Sequence, residues 1–234
     1  MASRQEEKER RRQERLEREQ AEARRASRRK RMQLAFGGAL ALAAIAGIVI
    51  AVVVATGGGD SGPTKADQTA STVKLPTQQT SDIQEAAKAA GCTLTNPAFE
   101  GANHAQKDFK PSDYKTNPPT SGNHTPDWYE DGIYAPGDVP RLGKQVHTLE
   151  HGRIDVQYKP GTPESTVAQL EALLAEQSGG YHMLLYENAT DMPYAVAATA
   201  WGHLLGCNEM NDKVFDALRT FRARYIDKGP EKGL

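Results

Sequence analysis

The chain has 234 residues, 29 Lys or Arg against 30 Asp or Glu, two cysteines and six histidines. It contains no glycine-rich nucleotide loop and no dinucleotide fingerprint, which argues against phosphoryl transfer and dinucleotide chemistry. It contains no C-x-x-C either, so its cysteines do not read as a thiol redox centre.

Residues 1–33 are almost free of apolar side chains and mix Arg with Glu at helical spacing. Such a segment has no face on which to build a core and reads as a solvated tail. It ends in a purely basic cluster, Arg24, Arg25, Arg28, Arg29, Lys30 and Arg31. Beside a membrane that cluster suits anionic lipid headgroups, so no nucleic-acid partner is expected. From Leu34 to Ala55 the chain reads LAFGGALALAAIAGIVIAVVVA, without a charge. A run of about 20 apolar residues spans a hydrocarbon core about 30 Å thick. The sequence thus predicts a single transmembrane helix over 34–56. The basic side is expected in the cytoplasm and everything after it outside. A cleaved signal peptide is the competing reading, disfavoured by the long charged region and the long apolar run.

Residues 57–80 are rich in Gly, Ser, Thr, Gln and Pro and read as a flexible stalk. A globular domain is expected over 81–228, followed by a tail, 229–234. Its first helix begins with Ser81 or Asp82 as cap and stops at Gly91. Cys92 and Cys207 both fall in this outer part. Thiols outside the cytoplasm tend to be oxidised, so the two are expected to form a disulfide.

Between Thr93 and Gln145 prolines, glycines and aromatics follow no sustained period, which is loop chemistry. Within that stretch, Phe109 to Pro140 offers an aromatic, proline-rich surface to a protein or glycan partner of unknown identity. The second half is regular. Arg153 to Tyr158 alternates Ile154, Val156 and Tyr158 as a half-buried strand does. Pro163 to Gln177 reads as a helix with Val167, Leu170, Leu173 and Leu174 on one stripe. MLLYE and YAVAATAW read as strands on either side of the turn-like NATDMP. Asp212 to Tyr225 reads as an amphipathic helix. This order predicts an α+β domain, a small sheet packed by helices.

The chemistry concentrates in HTLEHG, His147 to Gly152. If Lys144 to His151 make a short helical turn stopped by Gly152, His147 and His151 share a face and can bind one ion. On a continuous strand they would stand about 13 Å apart and could not. His147, Glu150 and His151 also satisfy H-x-x-E-H, the inverted zincin signature. That chemistry needs a long rigid helix, whereas here Gly152 and a strand follow at once. A metal-dependent hydrolase is therefore the weaker reading. SGNH, Ser121 to His124, matches a hydrolase nickname only by letter, because that name denotes residues from four separate blocks.

PPTSGNH (Pro118 to His124), VHTLEHG (Val146 to Gly152), the strand ending Tyr158-Lys159-Pro160, and ATAWG (Ala198 to Gly202) resemble the motifs of the bacterial family called domain of unknown function 3105. Its members are commonly anchored by a single span. The resemblance runs from Gly91-Cys92 to the C-terminal helix and implies no activity. The histidines that match its pattern are His104, His124, His147 and His151; His182 and His203 match none of its motifs.

Pro118-Pro119 and the Gly122-Asn123 turn give His124 a rigid approach. With both cysteines in a disulfide, imidazole is the strongest ligand left for a transition metal, zinc or copper. The expected site is thus His104, His124, His147 and His151, with the Glu150 carboxylate orienting an imidazole from behind. The alternative is a cell-envelope binding or scaffolding module that uses the aromatic loop and no metal.

Overall fold

Asp82 opens the first helix as its side chain predicts, accepting the backbone N–H of Glu85 at 2.8 Å. Helix α1 spans Ile83–Ala90 and ends at Gly91, whose φ of +70° is the left-handed stop expected there. The computed structural model describes Pro63 and residues 73–231. The basic cluster and the apolar run Leu34 to Ala55 lie outside the described residues. Among the described residues no helix is long and apolar enough to cross a membrane.

The domain is α+β. After α1 come β1 (Cys92–Thr95), a 3-10 turn at Pro111–Asp113, β2 (Gly132–Ile133), α2 (Leu142–Glu150) and β3 (Ile154–Tyr158). Then follow α3 (Glu164–Ala175), β4 (Met183–Glu187), β5 (Val196–Ala200), β6 (His203–Cys207) and α4 (Asp212–Tyr225). The strands form one mixed sheet in the order β1-β6-β5-β3-β4-β2. β3 is central, antiparallel to β5 and parallel to β4, with α3 as the crossover the parallel pair requires.

One face of the sheet builds the main core. Ile154, Val156, Met183, Leu185, Val196, Ala198 and Leu205 pack against Ala86 and Ala87 of α1, Leu170 and Leu173 of α3, and Val214, Leu218 and Phe221 of α4. The sequence predicts β3 as half-buried, but all five of its residues are buried. Its second face is covered by α2 and by the long loop. Asp155 there accepts a hydrogen bond from the Tyr186 hydroxyl at 2.9 Å, and Gln157 accepts one from Asn188 at 2.7 Å.

The sheet is larger than predicted because β1 and β2 are too short to mark a strand, CTLT alternating over only four residues and GI being two, and HLLGC of β6 does not alternate. β6 is joined to β5 by a tight turn at Trp201-Gly202, with Ala200 opposite His203, so the strand expected over YAVAATAW ends one residue before Trp201. Cys92 and Cys207 face each other across β1 and β6 and are joined by a disulfide.

Both ends of the packed domain extend beyond the expected 81–228. Leu75, placed in the stalk by composition, packs on the main core. Asp216 of α4 accepts the Gln79 N–H at 2.7 Å, and Arg219 donates to the Pro76 carbonyl at 2.9 Å. At the other end, residues 227–231, which take in part of the expected tail, return from α4 to the end of α2. Asp227 N–H donates to Gly152 O at 2.8 Å and Glu231 N–H to Glu150 O at 3.1 Å. Polar composition hid both segments, because what holds them is backbone pairing and two side chains of α4.

Candidate metal centre

His124 is delivered by a loop with little freedom. The Asn117–Pro118 bond is cis and Gly122 stands at φ +134°. A β-carbon on Gly122 would lie 2.7 Å from the Tyr114 ring, so only glycine fits. Gly122 N–H donates to Gly101 O at 2.9 Å, His124 N–H to Asn103 O at 3.1 Å, and Ala105 N–H to His124 O at 2.7 Å. These bonds make a short parallel bridge between His104 and His124, which places the two imidazoles side by side. The Tyr114 hydroxyl closes the loop by donating to Asn123 O at 2.9 Å.

His147 and Glu150 come from α2. Gly143 lets that helix lie close against the loop, since a β-carbon there would meet the Phe109 ring at 2.7 Å and Thr125 N at 3.2 Å. Residues four apart share a helix face, so His147 follows Gly143 toward His124. The helix ends as a Schellman motif. Gly152, at φ +80°, donates to Leu149 O at 2.9 Å and Arg153 N–H donates to Thr148 O at 3.3 Å. The helical turn expected of HTLEHG is present, with His151 as its C-cap.

The side chains converge in two groups. One ligand atom from each of His104, His124, His147 and Glu150 can be chosen so that all lie within 4.8 Å of one another, and the same holds for His147, His151 and Glu231. Four donors about 2.0 to 2.1 Å from a tetrahedral zinc stand about 3.3 Å apart. Here Glu150 Oε2 is 2.9 Å from His124 Nε2 and 3.7 Å from His104 Nε2. This arrangement can hold a metal ion.

The protons sharpen that statement. His124 Nδ1 is 2.8 Å from Gly122 O, and a carbonyl only accepts, so Nδ1 carries the hydrogen. A neutral His124 therefore points the lone pair of Nε2 at a carboxylate oxygen. Both atoms are buried, and despite their separation they are not aligned as a hydrogen bond. Two acceptors this close in a dry interior repel unless a cation lies between them.

Burial favours the neutral, metal-binding form of two of the imidazoles and works against the ionised form of the carboxyl. It pushes His147 down to about 4, helped by the neighbouring His124, His151 and His104. His151 is lowered by burial, against the attraction of Glu231. Burial also raises the Glu150 carboxyl, opposed by His124 and reinforced by Glu231. Both tryptophans of the chain flank the site. Trp128 lies 5.5 Å from the His147 ring and 5.0 Å from the His151 ring, and Trp201 lies 6.0 Å from the His124 ring.

All four expected histidines gather here, in two overlapping groups joined by His147. His151 Nε2 stands 2.9 Å from His147 Nε2, and His151 belongs to the group with Glu231. Glu150, expected behind the imidazoles, has its oxygen among the ligand atoms. Sequence reasoning missed Glu231, which gave no signal in a polar C-terminal stretch. His182 and His203 stand outside both groups: His182 Nδ1 lies 2.5 Å from Asp227 and His203 Nδ1 lies 2.6 Å from Asn96. Three of the five aromatics between Phe109 and Pro140 turn inward, while Trp128 and Tyr129 are half-buried. Phe109, Tyr114 and Tyr134 are buried, and the large exposed hydrophobics among the described residues are Phe99 and Tyr181.

Compared with known proteins, residues 104–234 match the family described as protein of unknown function (DUF3105). No curated protein and no solved structure matches the chain.

Proposed function

We propose, for a chain that belongs to the DUF3105 family, a membrane-anchored extracytoplasmic domain that binds one transition-metal ion, zinc or copper, through His104, His124, His147 and Glu150. The observation that carries this reading is the pair of buried, unpartnered acceptors His124 Nε2 and Glu150 Oε2, 2.9 Å apart with two further imidazoles around them. Three nitrogens and one carboxylate oxygen suit zinc or copper, and the two cysteines are bonded to each other. Two observations weigh against the other readings. Phe109, Tyr114 and Tyr134 of the long loop are spent on packing, which leaves a partner only the half-buried Trp128 and Tyr129 among its aromatics. The Glu150 oxygen sits among the donors, whereas a hydrolytic H-x-x-E-H keeps its glutamate free to activate water.

The test is elemental analysis of the full chain, purified in detergent without a histidine tag and dialysed against zinc and copper in turn. About one equivalent is expected in the native chain and none in a folded His124→Ala/His147→Ala variant. Equal and negligible metal in both returns the histidines to a structural role. The anchor rests on the charge asymmetry around Leu34 to Ala55. Protease added to intact cells should remove a C-terminal epitope and spare an N-terminal one, and the reverse pattern would refute the topology.

A further inference from the structure

His147 belongs to both ligand groups. His151 Nε2 lies 2.9 Å from His147 Nε2 and 3.7 Å from Glu231 Oε2, and the three residues form a compact group, with ligand atoms within 4.8 Å of one another, that shares His147 with the inner donors. We propose that His151 and Glu231 form the loading position of the centre: an incoming dication binds there first and passes through His147 to His104, His124 and Glu150. The proposal rests on the metal-binding reading above and adds a route to it.

Accessibility is the first support. The Glu231 side chain is 50% exposed and that of Glu150 is 5% exposed, while His104 is the open member of the inner group at 43%, so of the two carboxylates an ion arriving from water meets that of Glu231 first. Position is the second. Glu231 is held by its own N–H on Glu150 O, and Gly229 fits so tightly against Glu150 O and Gly152 N that a β-carbon there has no room. The carboxylate is thus presented to His151 by a fixed backbone. Donor count is the third. The outer group offers two imidazoles and one carboxylate, and the inner group offers three imidazoles and one carboxylate. Transfer inward gains a donor, and His147 is common to both groups.

No redox change is involved. As the ion moves, its bonds to Glu231 and His151 break while those to the inner donors form, and any proton on a nitrogen that takes the metal leaves to water. The close His147–His151 contact helps the exchange, because a nitrogen that holds a metal has no lone pair left to accept a hydrogen bond. His151 is then released toward Glu231.

The test uses the full chain in detergent, without a histidine tag, and Cu²⁺ as the probe. Quenching of Trp128 and Trp201 reports arrival. The native chain is expected to take one equivalent. Glu231→Gln leaves the backbone pairing intact and should keep the same stoichiometry and Kd while slowing both association and dissociation by about fivefold or more. His151→Asn should slow both rates alike, and the double variant should be no slower than either single one. Unchanged rates in Glu231→Gln would mean that ions pass His104 directly, and would overturn the proposal. Weaker Kd with unchanged association would make Glu231 an ordinary ligand, and two equivalents in the native chain would make the groups two sites; either result overturns it. A native chain that takes no copper sinks the metal-binding reading itself, an outcome distinct from all of these.

Discussion

Asp155 and His147 set opposite pH slopes on the metal-free domain. Burial raises Asp155 to about 8 against the Tyr186 hydrogen bond and Arg153, and holds His147 at about 4. The Asp155 contribution to stability is fully present below its unfolded value of about 3.9 and is lost as pH rises through 8. That of His147 is present above about 6.5 and is lost as pH falls through 4. Asp155→Asn keeps an oxygen for the Tyr186 hydroxyl and removes the first slope, which is at most about 1.4 kcal/mol per pH unit. Its melting temperature relative to the native chain should therefore rise more at pH 8 than at pH 5. Identical shifts at both pH values would show that the native carboxyl is ionised. At Glu150 the same burial raises the carboxyl above its usual range, opposed by His124. Glu150→Gln should weaken zinc binding by about tenfold or more in a competition titration at neutral pH. Unaltered affinity would remove Glu150 from the ligand set.

Among the elements, α2 was the most legible, because a one-turn histidine pair followed by glycine has few other ways to fold. What the sequence concealed was how close that helix lies to the loop. The reason is Gly143, which reads as an unremarkable helix residue until Phe109 and Thr125 are seen against it. Gly143→Ala should cost about 1 to 3 kcal/mol of stability by overpacking, and should also weaken metal binding by moving His147 away from His124. Thermal melts with and without zinc separate the two effects. A variant that melts lower yet binds as tightly would show that the approach of α2 serves packing alone. α1, α3, β4 and α4 were legible from caps and periodicity. β1 and β6 were not: CTLT alternates over only four residues, and HLLGC carries a glycine and does not alternate. Gly206 in β6 is explained only by the Tyr194 ring that lies against it. The sequence named the four histidines that lie together here, but not Glu231 beside them. The geometry of the cluster was not legible, because the His104–His124 bridge joins loop segments twenty residues apart through backbone bonds that no side-chain pattern announces.

At the scale of the whole molecule, the Cys92–Cys207 disulfide ties β1 to β6 across a separation of 115 residues. In the chain-entropy account a closure of that length stabilises by about 4 to 5 kcal/mol. Cys92→Ser/Cys207→Ser should lower the denaturation midpoint accordingly, and peptide mapping without reductant should find the cross-linked pair in the native chain. α4 joins the two ends of the packed chain. Asp216 and Arg219 hold residues 76–80, which lead back toward the expected anchor, and the segment after Tyr225 returns to the end of α2 beside the candidate site. That second attachment bears on how the protein can be handled. Glu231 Oε2 lies 3.7 Å from His151, so an affinity tag of consecutive histidines appended just past it would present foreign imidazoles to the centre. Such a preparation would compete with itself for every ion added, and its stoichiometry would describe the tag; a purification handle belongs at the other terminus.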